Sequence, residues 1–214
     1  MRPRDAATLI LVREQRDVLL GVRSAAHVFM PHMYVFPGGR VDPGDARVAC
    51  PVGLKRDVER RLCASVSAAR ARALAMTAVR ETFEETGLLL GRAVRQIPRS
   101  RSAHWQPFFA RGVVPALDKL DYVARAITPP RQVRRYDARF FLADAADTQG
   151  RLQGNGELED LRWVNLRSAH RLALSPITAL VLDLLKRRIT GKPDAVEQIP
   201  FYRELNGKEL IEYE

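Results

Sequence analysis

The chain has 214 residues, with 35 Lys and Arg against 25 Asp and Glu, a formal net charge of +10, 46% hydrophobic and 28% charged content. This is the composition of one globular domain able to bury a core; two cysteines argue against a disulfide scaffold and a four-ligand zinc site, and the lack of an apolar run of 18 residues or more argues against a helical membrane span. A soluble, cytoplasmic protein with reduced thiols is expected, and the 7% aromatic content, not interleaved with the basic residues, argues against a single-strand nucleic-acid platform.

From the N-terminus, the apolar runs at 6–12 and 18–22 flank a polar connection and predict a hairpin. A strand at 33–36 is stopped by Pro37, Gly38 and Gly39, a turn in which glycine permits close backbone approach. Residues 46–79 follow with seven Lys and Arg against two acids, a field that concentrates anions. Helices are expected over about 66–86 and 176–188, the second announced by Ser175 as N-cap before Pro176. Further strands are expected at 122–128, 139–143 and 161–164, and the whole reads as an α+β, or mixed α/β, domain.

The segment 75–90, AMTAVRETFEETGLLL, carries the chemistry. At 100° per residue Glu81, Glu84 and Glu85 share about 100° of arc, with Ala75, Met76, Val79 and Phe83 opposite. Glu81 and Glu85 are like charges four apart, a destabilising pair unless a cation sits between them. Arg80 can orient Glu84 but does not neutralise three acids, whereas Mg²⁺ or Mn²⁺ suits such oxygen ligands. Gly87 suits the residue that ends a helix, and the Leu run after it is expected to start a strand.

GGRVDPGD followed by RETFEETGL resembles the Nudix box: a glycine, five residues, a glutamate, seven residues, then Arg-Glu-U-x-Glu-Glu-x-Gly-U, with U apolar. Gly39, Arg80, Glu81, Glu84, Glu85, Gly87 and Leu88 match; Asp45 stands in place of the first glutamate, 34 residues separate it from Arg80 where seven are usual, and Thr82 fills an apolar position. The resemblance implies an α/β/α sandwich with a mixed sheet and a long helical insert, about 46–70, inside the box. It implies metal-dependent hydrolysis of a diphosphate, with Glu81, Glu84, Glu85 and Asp45 as metal ligands. Glu81 is the first candidate for general base, assisted by Arg80, and Glu157 before the 161–164 strand is the second; Glu159 and Asp160 are alternatives.

The rest of the chain is similar to the Nudix proteins related to peroxisomal acyl-coenzyme A diphosphatases. That similarity implies coenzyme A or an acyl-coenzyme A as substrate, with nucleotide sugars or dinucleotides as the alternative and a catalytically silent binding module as another. Gly38, Gly39, Arg23, Arg134 and Arg135 are the candidate binding residues. The domain is expected over 1–190, with 191–214 an acidic tail packed on it or extending from it. The expected partner is a small-molecule diphosphate, with a homodimer open and neither nucleic acid nor a membrane expected.

Overall fold

The structure, a computed structural model, describes residues 2–24, 31–190, 198–205 and 207–214. Strand β1, Arg4–Arg13, is central: Ala7, Leu9 and Leu11 enter one hydrophobic cluster while Ile10 and Val12 enter the other. Burial on both faces explains why this strand reads as a continuous apolar run. A tight turn with Glu14 and Gln15 both left-handed (φ 51° and 50°) returns the chain as β2, Asp17–Arg23. The short strands β3, Tyr34–Val35, and β4, Gly38–Arg40, follow; β4 lies antiparallel to β1, with Ala7 opposite Gly39 and Thr8 opposite Gly38.

The helical section comprises α1 (Pro43–Arg47), α2 (Arg56–Cys63) and α3 (Ala68–Thr86). Ser67 caps the start of α3 by accepting from the Arg70 N–H, and Gly87, left-handed at φ 72°, ends it. The Leu run after Gly87 contributes one isolated bridge, Leu89 to Gln149, and the strand proper, β5 (Gly91–Ala93), pairs with β6 (Val113–Pro115) on either side of α4 (Gln106–Phe109). Then come β7 (Asp121–Ile127), β8 (Tyr136–Asp144), β9 (Leu158–Asn165) and α5 (Pro176–Thr190). The C-terminal stretch, expected as an acidic tail, supplies β10 (Pro200–Leu205) and β11 (Lys208–Tyr213), an antiparallel hairpin.

The main sheet runs β11-β10-β7-β8-β1-β2-β3, with β4 also on β1 and β9 also on β2; β1–β8 and β7–β10 are parallel pairs in an otherwise antiparallel sheet. One face is covered by α2, α3 and α4 through Leu62, Leu74, Val79, Trp105 and Phe108, the other by α5 through Val181, Leu182 and Leu185. This is the expected α/β/α arrangement. No single helix among the described residues is long and apolar enough to cross a membrane. Within the insert, α2 packs on α3 and β7, where Lys55 pairs with Asp121 at 2.7 Å. Val58 and Leu62 explain this, because they give α2 an apolar edge that the α3 and β7 side buries.

Candidate active site

Strand β4 and the last two turns of α3 meet face to face. A Cβ at Gly39 would lie 2.4 Å from the Glu81 carboxyl carbon, so only glycine lets that carboxylate sit against the strand. The Gly38 N–H donates to Glu85 Oε2 at 2.8 Å. The two glycines are therefore backing for the carboxylates. Helix α3 is wrapped on nearly all sides, and Glu85 is buried on the face read from sequence as a carboxylate wall.

Arg80 is the hub beneath that wall. Its guanidinium donates to Glu84 at 2.8 Å, pairs with Glu81 at 2.9 Å, and grips both oxygens of Asp45 at 2.8 and 2.9 Å. The Asp45 carboxylate also accepts from Thr77 Oγ1, Trp105 Nε1 and the Asp42 N–H, and it has no solvent exposure. Asp45, expected as a metal ligand, is instead committed to five donors. Its short side chain, fixed in the first turn of α1 by the Asp42 capping box, ends at Arg80.

The electrostatics single out two glutamates. Burial, partly opposed by Arg80 and reinforced by Glu84 and Glu157, pushes the Glu81 carboxyl up to about 7. Burial together with Glu81 and Glu157 raises Glu85 well above the usual range, against the Gly38 N–H and Arg23. Glu157, just before β9, and Arg23, the last residue of β2, are thus brought to the wall from distant sequence. Among the described residues no three His, Cys, Asp or Glu side chains converge on one point as a metal cluster; Glu85 is turned to Gly38 and Glu84 to Arg80. The donor set is nevertheless that of a hard divalent cation: Glu81 and Glu85 are crowded carboxylates whose ionised forms are poorly compensated by the protein.

Arg134 and Arg135 lie in the loop between β7 and β8, where Arg135 Nε donates to Thr128 O at 3.0 Å. That loop ends level with Arg4, three residues along β1 from the Ala7 that faces Gly39. Asp160 is drawn away from the wall to Tyr34 Oη and Arg162, and Glu159 is exposed on β9. Sequence reading missed Thr77 and Trp105 as supports of the Asp45–Arg80 pair. It also missed the Tyr34–Arg162–Asp160 cluster, in which Arg162 lies 4.9 Å over the Tyr34 ring and Asp160 is left-handed at φ 45°. A positive φ outside glycine is invisible in a sequence, and so is the indole partner of an acid 60 residues away.

No family model and no curated protein matches the chain. Solved structures do. A Nudix hydrolase from Alicyclobacillus acidocaldarius is similar at 28% identity and a TM-score of 0.66, over 89% of this chain and 96% of that one. A MutT Nudix hydrolase from Burkholderia pseudomallei shares the fold at 19% identity and a TM-score of 0.51, over 86% and 98%. So does the E. coli ORF135 protein, at 19% identity and 0.52, over 91% and 96%. The first of these likenesses supports the Nudix superfamily, and with it an enzyme that is a pyrophosphohydrolase acting on phosphoric anhydrides; the other two show the fold alone.

Proposed function

We propose that the chain hydrolyses the diphosphate of a nucleoside diphosphate derivative, with coenzyme A or an acyl-coenzyme A as favoured substrate and Mg²⁺ or Mn²⁺ as cofactor. The observation that carries this reading is the meeting of Glu81 and Glu85 on α3 with Glu157 from β9 and Arg23 from β2 against one glycine strand. Glu81, Glu84 and Glu85 are the residues that would hold the cation, which when bound supplies neutralisation of charge on the diphosphate oxygens. Glu81, with a carboxyl near 7, is the group suited to take the proton of the attacking water at neutral pH, and Glu157 is the alternative. Arg80 positions Glu81 and Glu84 from below. Arg23, Arg134 and Arg135 are the cations for substrate phosphates beyond the diphosphate.

The test is a hydrolysis screen with added Mg²⁺ or Mn²⁺ over coenzyme A, an acyl-coenzyme A, nucleotide sugars, dinucleoside polyphosphates and NADH. Coenzyme A compounds are expected to turn over fastest, and Glu81→Gln to lower kcat by roughly 10²- to 10⁴-fold. Faster turnover of a nucleotide sugar or a dinucleotide would reassign the substrate. No turnover of any of them would leave a silent binding module as the better reading.

A further inference from the structure

The basic insert builds a groove of its own. Residues Ala46–Pro51, which lead out of α1, face Arg72 on α3 and the 96–99 loop across an open cavity of about 720 Å³. Its lining residues include three arginines, Arg47, Arg72 and Arg99, and no aspartate or glutamate. Among the described residues none of the three has an ion-pair partner, in a structure where Arg13, Arg70, Arg80, Arg92, Arg125, Arg139 and Arg203 all do. Arg72 is half-buried and held in place by donating to Val48 O at 2.6 Å, whereas Arg47 and Arg99 are exposed at the rim. Asp118, whose charge reaches the groove residue Cys50, is itself paired with Arg92. The groove shares no lining residue with the carboxylate site, and Arg72 lies about 18 Å along α3 from Glu84.

Three arginines lining a concave site with no acid among its lining residues favour an anion of at least two charges, and planar forked donors match phosphate oxygens. The volume falls within the range of small-molecule sites. We propose that this groove is a second anion site, binding a small molecule that carries two or more phosphate charges, independently of the carboxylate site on α3.

Cys50 lines the groove and supplies a reporter, and the only other cysteine, Cys63, is exposed at the end of α2. With Cys63→Ser, alkylation of Cys50 by the uncharged reagent iodoacetamide reads occupancy of the groove. Burial raises the Cys50 thiol, so the reaction is followed at about pH 9. The measurement uses the metal-free full chain at constant ionic strength, with inorganic tripolyphosphate as probe. At about ten times Kd the alkylation rate should fall roughly tenfold. Arg47→Gln with Arg99→Gln, both exposed and outside any ion pair, should abolish the protection without loss of fold, and Glu81→Gln should leave it intact. That last arm separates this site from the catalytic reading, which can fail without affecting it. The proposal is overturned if tripolyphosphate gives no protection, if sulfate at matched ionic strength protects equally, or if the double arginine variant is still protected. Stronger protection by a single-stranded oligonucleotide at equal phosphate concentration would overturn the small-molecule assignment in favour of nucleic acid.

Discussion

Asp45 has no solvent exposure, and its charge is answered inside the protein chiefly by Arg80. Removing one member of such a pair strands the other, so Asp45→Asn should lower unfolding free energy by about 3 kcal/mol, read by urea denaturation without metal. Glu81→Gln should do the reverse, because it removes a charge that burial disfavours, and that Glu84 and Glu157 repel, by more than Arg80 repays. A stability gain in Asp45→Asn would return that residue to the set of metal ligands. Sequence spacing cannot make this distinction. It places Asp45 two residues past a Pro and lets it be ligand or support, while the deciding partners, Thr77 and Trp105, come from elsewhere.

The same residues fix a pH dependence. An ordinary glutamate ionises near 4.5, and Glu81 in the fold near 7. Below about pH 4.5 both folded and unfolded chains hold this proton and the site costs nothing. Between about pH 4.5 and 7 the unfolded chain releases this proton while the folded chain still holds it, so the metal-free protein loses stability across that window, by up to about 3 kcal/mol for this one group, and the loss is complete above about pH 7, where the folded chain carries the buried charge. Thermal unfolding of the metal-free protein should show Tm falling between about pH 5 and 7 and levelling above. The fall should be smaller in Glu81→Gln, and Mg²⁺ should raise Tm more at pH 8 than at pH 5. An identical slope in wild type and variant would remove Glu81 as the cause.

At the scale of elements, β4 and α3 are joined by glycines that do different work. Gly39 makes room for the Glu81 carboxyl, while Gly87 ends α3 in the left-handed region, where an added Cβ would meet Arg151 O at 2.8 Å. Gly39→Ala should therefore displace Glu81 and cost turnover, roughly tenfold or more, at little cost in Tm. Gly87→Ala should lower stability by about 1 kcal/mol or more while leaving the metal requirement unchanged. Comparing kcat with Tm for the pair checks the division, and a Gly39→Ala protein with full activity would mean that Glu81 tolerates displacement. The elements legible in the sequence are those with a periodic or continuous apolar signal, helped in the helices by a terminal residue: β1, β2, α3 ended by Gly87, and α5 behind Ser175 and Pro176. Strand β4 is Gly-Gly-Arg and has almost no side chains to read. The β10–β11 hairpin lacks such a signal, because β11 exposes most of its residues at the sheet edge and gives neither strand a long apolar run.

For the molecule as a whole, the two layers are tied by charge as well as by core. Asp137 on β8 accepts from Arg125 on β7 and from the fully buried Arg139, Arg139 reaches Ser65 beside α2, and Arg125 extends to Glu214 after β11. The C-terminal hairpin is thus bound into the sheet it borders, which a count of its acidic residues could not reveal. The most demanding connection is older in chain order. Strand β1 is buried on both faces, yet its long partner is β8, in parallel register from Arg4 opposite Tyr136 to Val12 opposite Asp144. A ribosome adding about 5–20 residues per second needs roughly 7–26 s to make that partner after β1 is complete. During that wait β2 and β4 can pair with β1 and α3 can cover one of its faces, but the edge that β8 occupies in the finished sheet has no strand to pair with. In the nascent chain the pace of translation through β8, rather than the strength of any contact described above, therefore sets how long that edge of β1 stays unpaired.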